Sequence, residues 1–201
     1  VSSDISGMIG QYAHGNEPSH HIAYFYTMAG KPWKTADLVR KICAEQYSAA
    51  SDGLSGNEDV GQMSAWYILS SMGFYQVEPA GGRYWFGSPL FDEVTLHLEG
   101  GRTLRIVAEG NSDTNRYIQR IYLDGKPYTK AYIDYKDIMA GGELRIVMGA
   151  DHKLWYCADE PEEYVSKRPA EEARLFTSPL IEKKIEEVQA LLMNPRLAWM
   201  F

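Results

Sequence analysis

Over roughly the first eighty residues, polar loops alternate with apolar runs at helical spacing. The run Ile22-Ala23-Tyr24-Phe25-Tyr26-Thr27-Met28 predicts a helix buried on most sides and stopped by Gly30 and Pro32. Leu38, Val39, Ile42, Cys43, Gln46 and Tyr47 then recur at spacings of three and four. They predict an amphipathic helix capped by Thr35 and ending near Ala49. Ser, Ala, Asp and Gly between Ser48 and Gly56 mark a loop, and the run from Met63 to Leu69 predicts a third, strongly apolar helix ending near Gly73.

After Pro79 the period changes. Val94, Leu96 and Leu98 alternate with Thr95, His97 and Glu99, and Gly100-Gly101 turns the chain into Leu104-Arg105-Ile106-Val107, a hairpin signature. Asp124-Gly125 joins Ile118–Leu123 to a strand-like Pro127–Ile133, and Gly141-Gly142 leads into Glu143–Met148. Short strands between glycine turns predict an antiparallel, sandwich-like region from about Tyr84 to Tyr156. The charged stretch Asp159–Ala170, with Pro161 and Pro169, reads as a linker. Ser178-Pro179 opens a terminal helix with Ile181, Ile185, Val188 and Leu192 on one face, ended by Asn194-Pro195. The expected class is α+β: helices over 1–83, an antiparallel β-rich region over 84–158, and a linker with a C-terminal helix over 159–201.

Composition narrows the chemistry. A net charge of -7 without a long basic run disfavours a nucleic-acid face, and no apolar window approaches the roughly 20 residues of a membrane-spanning helix. Cys43 and Cys157 are too few for a disulfide framework. A phosphate-binding glycine loop and a Gly-x-Ser-x-Gly elbow are both absent from the sequence. The chain opens at Val1 without an initiator Met or an apolar leader, which reads as the middle of a longer polypeptide.

Two loops hold the dense polar chemistry. One is His14-Gly15-Asn16-Glu17-Pro18-Ser19-His20-His21; the other is Gly56-Asn57-Glu58-Asp59-Val60-Gly61-Gln62, which places adjacent carboxylates before an apolar helix. The bland alternatives are helix capping by Asn16, Glu17, Glu58 and Asp59, and core burial for a histidine or for Trp66. Zinc suits the three histidines poorly, since adjacent His20 and His21 do not readily face one ion.

These blocks, with Gly30-Lys31-Pro32-Trp33-Lys34-Thr35, Gly53-Leu54-Ser55, Met63-Ser64-Ala65-Trp66-Tyr67, Gly73-Phe74-Tyr75 and Gly87-Ser88-Pro89, resemble the C-terminal part of a glycoside hydrolase family 92 α-mannosidase. The resemblance covers roughly three quarters of the chain and its order and spacing both fit. It implies a calcium-dependent, inverting exo-α-mannosidase acting on terminal mannose of glycans, with α-1,2 the expected linkage and a periplasmic or extracellular location. The helical part would belong to an (α/α)6 barrel. Asp59 would be the general base with Glu58 its rival, Asn16 and Glu17 would hold calcium, and His14, His20, His21 and Gln62 would bind sugar. The family's acid lies upstream of the histidine block and so would fall before Val1, leaving this chain inactive alone. Association with the missing part of the protein, or self-association, is expected. A non-catalytic carbohydrate-binding module is the competing reading, and a structural or interaction domain is a third.

Overall fold

The structure, a computed structural model, describes residues 5–157 together with 178, 180 and 183. Val1–Ala158 form one compact unit and Asp159–Phe201 a second. The expected linker and terminal helix lie outside the described residues, those three positions apart.

A two-residue hairpin, β1 (Met8–Ile9) and β2 (Tyr12–Ala13), opens the first unit. A 3-10 turn at Glu17–Ser19 follows, then a second at Ile22–Tyr24 that runs into the single turn α1 (Phe25–Met28). Ala23, Tyr24 and Thr27 are buried here while Ile22 and Tyr26 are exposed. The segment therefore buries one face, not most sides as its composition suggested.

Helix α2 (Pro32–Glu45) begins one turn before the expected cap at Thr35. Pro32 lacks an N–H and has a fixed φ, so the first turn is where it fits best. Thr35 is inside the helix and buried; its Oγ1 donates to Ala23 O at 2.9 Å and accepts from Thr27 N–H at 2.9 Å, fastening α2 to the preceding turn. The helix ends before Ala49 because the chain bends into a bridge between Tyr47 and Leu54, with Ser48 N–H donating to Gly53 O. Helix α3 (Gln62–Met72) starts after left-handed Gly61 and stops at left-handed Gly73, as expected.

Two sheets follow. The smaller joins β3 (Phe74–Gln76), β4 (Arg83–Phe86) and β9 (Tyr132–Asp134), all antiparallel, and so straddles the division expected at residue 83. The larger has the order β5-β6-β10-β7-β8, built from β5 (Glu93–His97), β6 (Thr103–Glu109), β7 (Tyr117–Leu123), β8 (Lys126–Tyr128) and β10 (Gly142–Gly149). The hairpins at Gly100-Gly101 and Asp124-Gly125 are present as expected. The region is not wholly antiparallel, however: β10 enters between β6 and β7, antiparallel to β7 but parallel to β6. The strand expected over Pro127–Ile133 is two strands in different sheets. Pro127 has no N–H for a second neighbour and lies in β8, at a sheet edge. A short helix, α4 (Tyr135–Ala140), replaces the simple turn expected before Gly142.

Leu104, Ile106 and Ala108 of β6 and Leu144, Ile146 and Met148 of β10 alternate inward into one core with Ile118 and Ile121 of β7. On the solvent side, Arg105 lies 2.7 Å from both Glu93 and Glu143. A second core gathers Val39 and Ile42 of α2, Trp66 of α3, and Tyr24, Tyr75 and Trp85. That second core supports the two polar loops. Among the described residues no helix is long and apolar enough to cross a membrane.

Candidate active site

Two glycines bring the loops together. A Cβ on Gly56 would come within 2.4 Å of Gly15 Cα and O, so the two backbones touch at a separation that side chains forbid. Glu17 follows Gly15 by two residues and Asp59 follows Gly56 by three. Their carboxyls lie side by side, close enough for each to shift the titration of the other.

That contact splits the two titrations. Hydrogen bonding with Asp59 holds the Glu17 carboxyl below the usual carboxylate range, and the same interaction, with the charge of Glu17, raises Asp59. Two like charges side by side disfavour double ionisation, so of the two carboxyls Asp59 is the one that holds its proton to higher pH. Glu17 also presents a shielded Oε1 that accepts no hydrogen bond from the described residues. Asn16 enters the 3-10 turn with extended backbone and its side chain makes no capping bond, so capping does not occupy it.

The adjacent carboxylates point differently. Glu58 Oε1 accepts the Ser64 backbone N–H at 3.2 Å, serving as a helix-end acceptor for α3, while Asp59 is exposed. Asp59 and Val60 have φ of 28° and 57°, and with Gly61 at 83° they make three successive left-handed residues. Non-glycine residues, a β-branched one above all, rarely sit there.

Behind the loops is a buried polar network. His14 and His20 are buried with rings stacked at 4.8 Å. Tyr47 donates to Met63 O at 3.0 Å, so its oxygen accepts from His14 Nε2 at 2.6 Å, and His14 Nδ1 accepts from Tyr12 OH at 2.8 Å. Burial, helped by His20, pushes His14 down to about 3, so the ring is neutral. Burial also lowers His20 and His21. His21 is half-buried and packs edge-on against Phe25 at 5.1 Å. Trp66 is core, as its apolar helix suggested, and its Nε1 donates to His20 O at 2.9 Å.

The eight residues singled out in the sequence thus separate. Asn16, Glu17, Glu58 and Asp59 lie on the two touching loops; His14, His20 and Gln62 lie in the network beneath, with both ring nitrogens of each buried histidine engaged; His21 stands apart. Tyr12, Tyr47 and Tyr75 were not among the site residues the sequence suggested; Tyr47 stood out only on the face of its helix and Tyr75 only within a family motif, and neither announces a phenol bonded to a histidine or an amide.

A calcium ion needs several hard oxygen donors. The paired carboxyls of Glu17 and Asp59, the orphaned Glu17 Oε1 and the uncommitted Asn16 amide fit that chemistry, with carbonyls, water or sugar hydroxyls left to complete it. Among the described residues no three His, Cys, Asp or Glu side chains converge on one point. Cys43 and Cys157 are free thiols, and burial pushes Cys43 up to about 12.

A family model described as the glycosyl hydrolase family 92 catalytic domain matches residues 2–150. The chain belongs to glycosyl hydrolase family 92. A family 92 α-mannosidase from Bacteroides thetaiotaomicron, solved in complex with mannoimidazole, is 43% identical with a TM-score of 0.70, covering 74% of this chain and 20% of that one. An inverting family 92 mannosidase from the same organism is also 43% identical, with a TM-score of 0.65, covering 71% of this chain and 19% of that one. A curated protein of Arthroderma benhamiae, named an uncharacterized secreted glycosidase, is 31% identical over 144 residues, 70% of this chain and 19% of its own length. The chain therefore spans about a fifth of the length of these relatives.

Proposed function

We propose that this chain supplies the water-activating carboxylate and calcium ligands of an inverting exo-α-mannosidase that removes terminal, α-1,2-linked mannose from glycans outside the cytoplasm. The supporting observation is the meeting of Glu17 and Asp59 across the Gly15–Gly56 contact. It joins the two sequence blocks that most resemble the family's site. The helices belong, on this reading, to the family's (α/α)6 barrel.

On this reading Asp59 rather than Glu58 is the base, because Glu58 Oε1 accepts from the end of α3 and its Oε2 is shielded, whereas Asp59 is exposed beside Glu17. An ionised Asp59 takes a proton from the water that attacks the anomeric carbon on the face opposite the leaving oxygen. The acid stands on the other side, about 6.5–9.5 Å away in inverting enzymes. In this proposal that acid comes from a segment N-terminal to these residues, so the chain alone releases no mannose. Glu17 and Asn16 would hold calcium. When bound, the ion supplies positive charge that favours loss of the proton that Asp59 holds beside Glu17 and offers a contact for sugar hydroxyls.

The test is mannose release from α-linked mannobioses by the complete polypeptide that carries this sequence. Asp59→Asn is expected to lower kcat by about 10²–10⁴-fold, the usual contribution of acid–base catalysis, and chelation of calcium to abolish turnover. An Asp59→Asn variant with wild-type kcat would sink the assignment. Glycan binding without hydrolysis by the complete wild type would point instead to a binding module.

A further inference from the structure

Gln62 is the first residue of α3, three positions after Asp59, and both protons of its side-chain amide are used inside the protein. Nε2 lies 3.1 Å from His20 Nδ1 and 3.1 Å from the Tyr75 hydroxyl. His20 Nε2 donates to His14 O at 2.9 Å, so Nδ1 of the neutral ring is a bare acceptor and the amide bond to it has one sense. One turn along α3, Trp66 reaches back to His20 O. The helix behind Asp59 is thereby tied twice to the segment that carries Asn16 and Glu17.

We infer that Gln62 is a positioning residue, whose amide sets how Glu17 and Asp59 meet by fastening α3 to the His14–His20 segment, and that it does not touch the sugar. The inference deepens the proposed function and rests on it where turnover is concerned. Its geometry stands independently. The Gly15–Gly56 contact lets the loops approach, but smooth glycine backbones do not fix register; the directed bond from the Gln62 amide to His20 does, with the second donation, to Tyr75 of β3, holding the plane of the amide. Hydrogen-bonding partners behind a ligand or catalytic group typically contribute about 10–100-fold to metal affinity or activity.

Two variants separate this role from a plain packing role. Gln62→Leu removes both donations while keeping an apolar side chain of similar length. Gln62→Glu restores the bridge as an ion pair, its carboxylate accepting from Tyr75 and from a His20 that has taken a second proton at Nδ1 while Nε2–H keeps its bond to His14 O. In the 201-residue chain, amide hydrogen exchange at residues 14–20 is expected to quicken at least about tenfold in Gln62→Leu. Exchange in β6 and β10 stays as in wild type, and Gln62→Glu stays near wild type throughout. In the complete polypeptide, Gln62→Leu is expected to lose about 10–100-fold in kcat with KM little changed, and Gln62→Glu to recover most of it. Unaltered exchange at residues 14–20 overturns the inference. So does a raised KM at constant kcat, which would mark Gln62 as a sugar ligand. If Gln62→Leu does not fold, Tyr75→Phe, which frees one amide proton, must still raise exchange at residues 14–20, and no rise overturns the inference. A wild type that releases no mannose removes the proposed function, and the exchange result then decides the clamp alone.

Discussion

Val60 shows most clearly what the site loop demands of a single residue. It is β-branched, left-handed with φ of 57°, and fully exposed, so it gains no burial to offset an unfavourable backbone. Such a conformation costs on the order of 1–3 kcal/mol, and glycine adopts it freely at an added unfolded-state entropy of roughly 0.5–1 kcal/mol. Val60→Gly is therefore expected to stabilise the chain by about 1 kcal/mol, seen as a Tm rise of about 2–4 °C in thermal melts. A lowered Tm would mean that Val60 makes a contact its exposure conceals. Asp59, at φ of 28°, shares the strain, and its carboxyl is the one directed to Glu17. Backbone cost and candidate chemistry coincide on the same residue pair.

At the scale of elements, β10 matters most. Leu144, Ile146 and Met148 point inward from a strand paired on both sides, so truncating one leaves a cavity that two neighbouring strands resist closing. Ile146→Ala is expected to cost about 2–5 kcal/mol in denaturant unfolding. Removing the exposed Arg105, although it is paired with two glutamates, should cost no more than about 1 kcal/mol. The inward alternation of these strands was visible in the chain, as were the ends of α3 at Gly61 and Gly73. The parallel pairing of β6 with β10 was not, because alternation says which face is buried and nothing about which strand lies alongside. Pro127 was misread within one long strand for the same reason: its preference for an edge becomes informative only once the edge is known. In the site, the family motifs pointed to the two loops, but the division between Glu58 at the end of α3 and Asp59 facing Glu17 depends on successive left-handed residues that no side-chain pattern announces. His14 and His20 were assigned to sugar binding through the family resemblance; that both are buried with every ring nitrogen bonded inside the protein is not legible in the chain.

For the whole molecule, the buried histidines link stability to pH. An unfolded His14 titrates near the ordinary value of about 6.5, whereas in the fold it is pushed down to about 3. Between these values the unfolded chain binds more protons, so stability is full above the upper value and falls as pH drops toward the lower one. His20 and His21 act in the same direction. Each group contributes a slope of up to about 1.4 kcal/mol per pH unit. Thermal melts between pH 7 and pH 4 should show Tm falling, more shallowly for His14→Gln than for wild type; equal slopes would mean that His14 is protonated in the fold.

The central place of β10 also has a consequence in time. A ribosome delivers β6, β7 and β8 before residues 142–149 exist, so the large sheet cannot be closed in the order in which it is made. Until β10 arrives, the inner edges of β6 and β7 have no partner in this sheet, and pairing them with each other would shut out the strand that belongs between them. The nascent chain must keep those edges apart, and its sheet is finished from the middle.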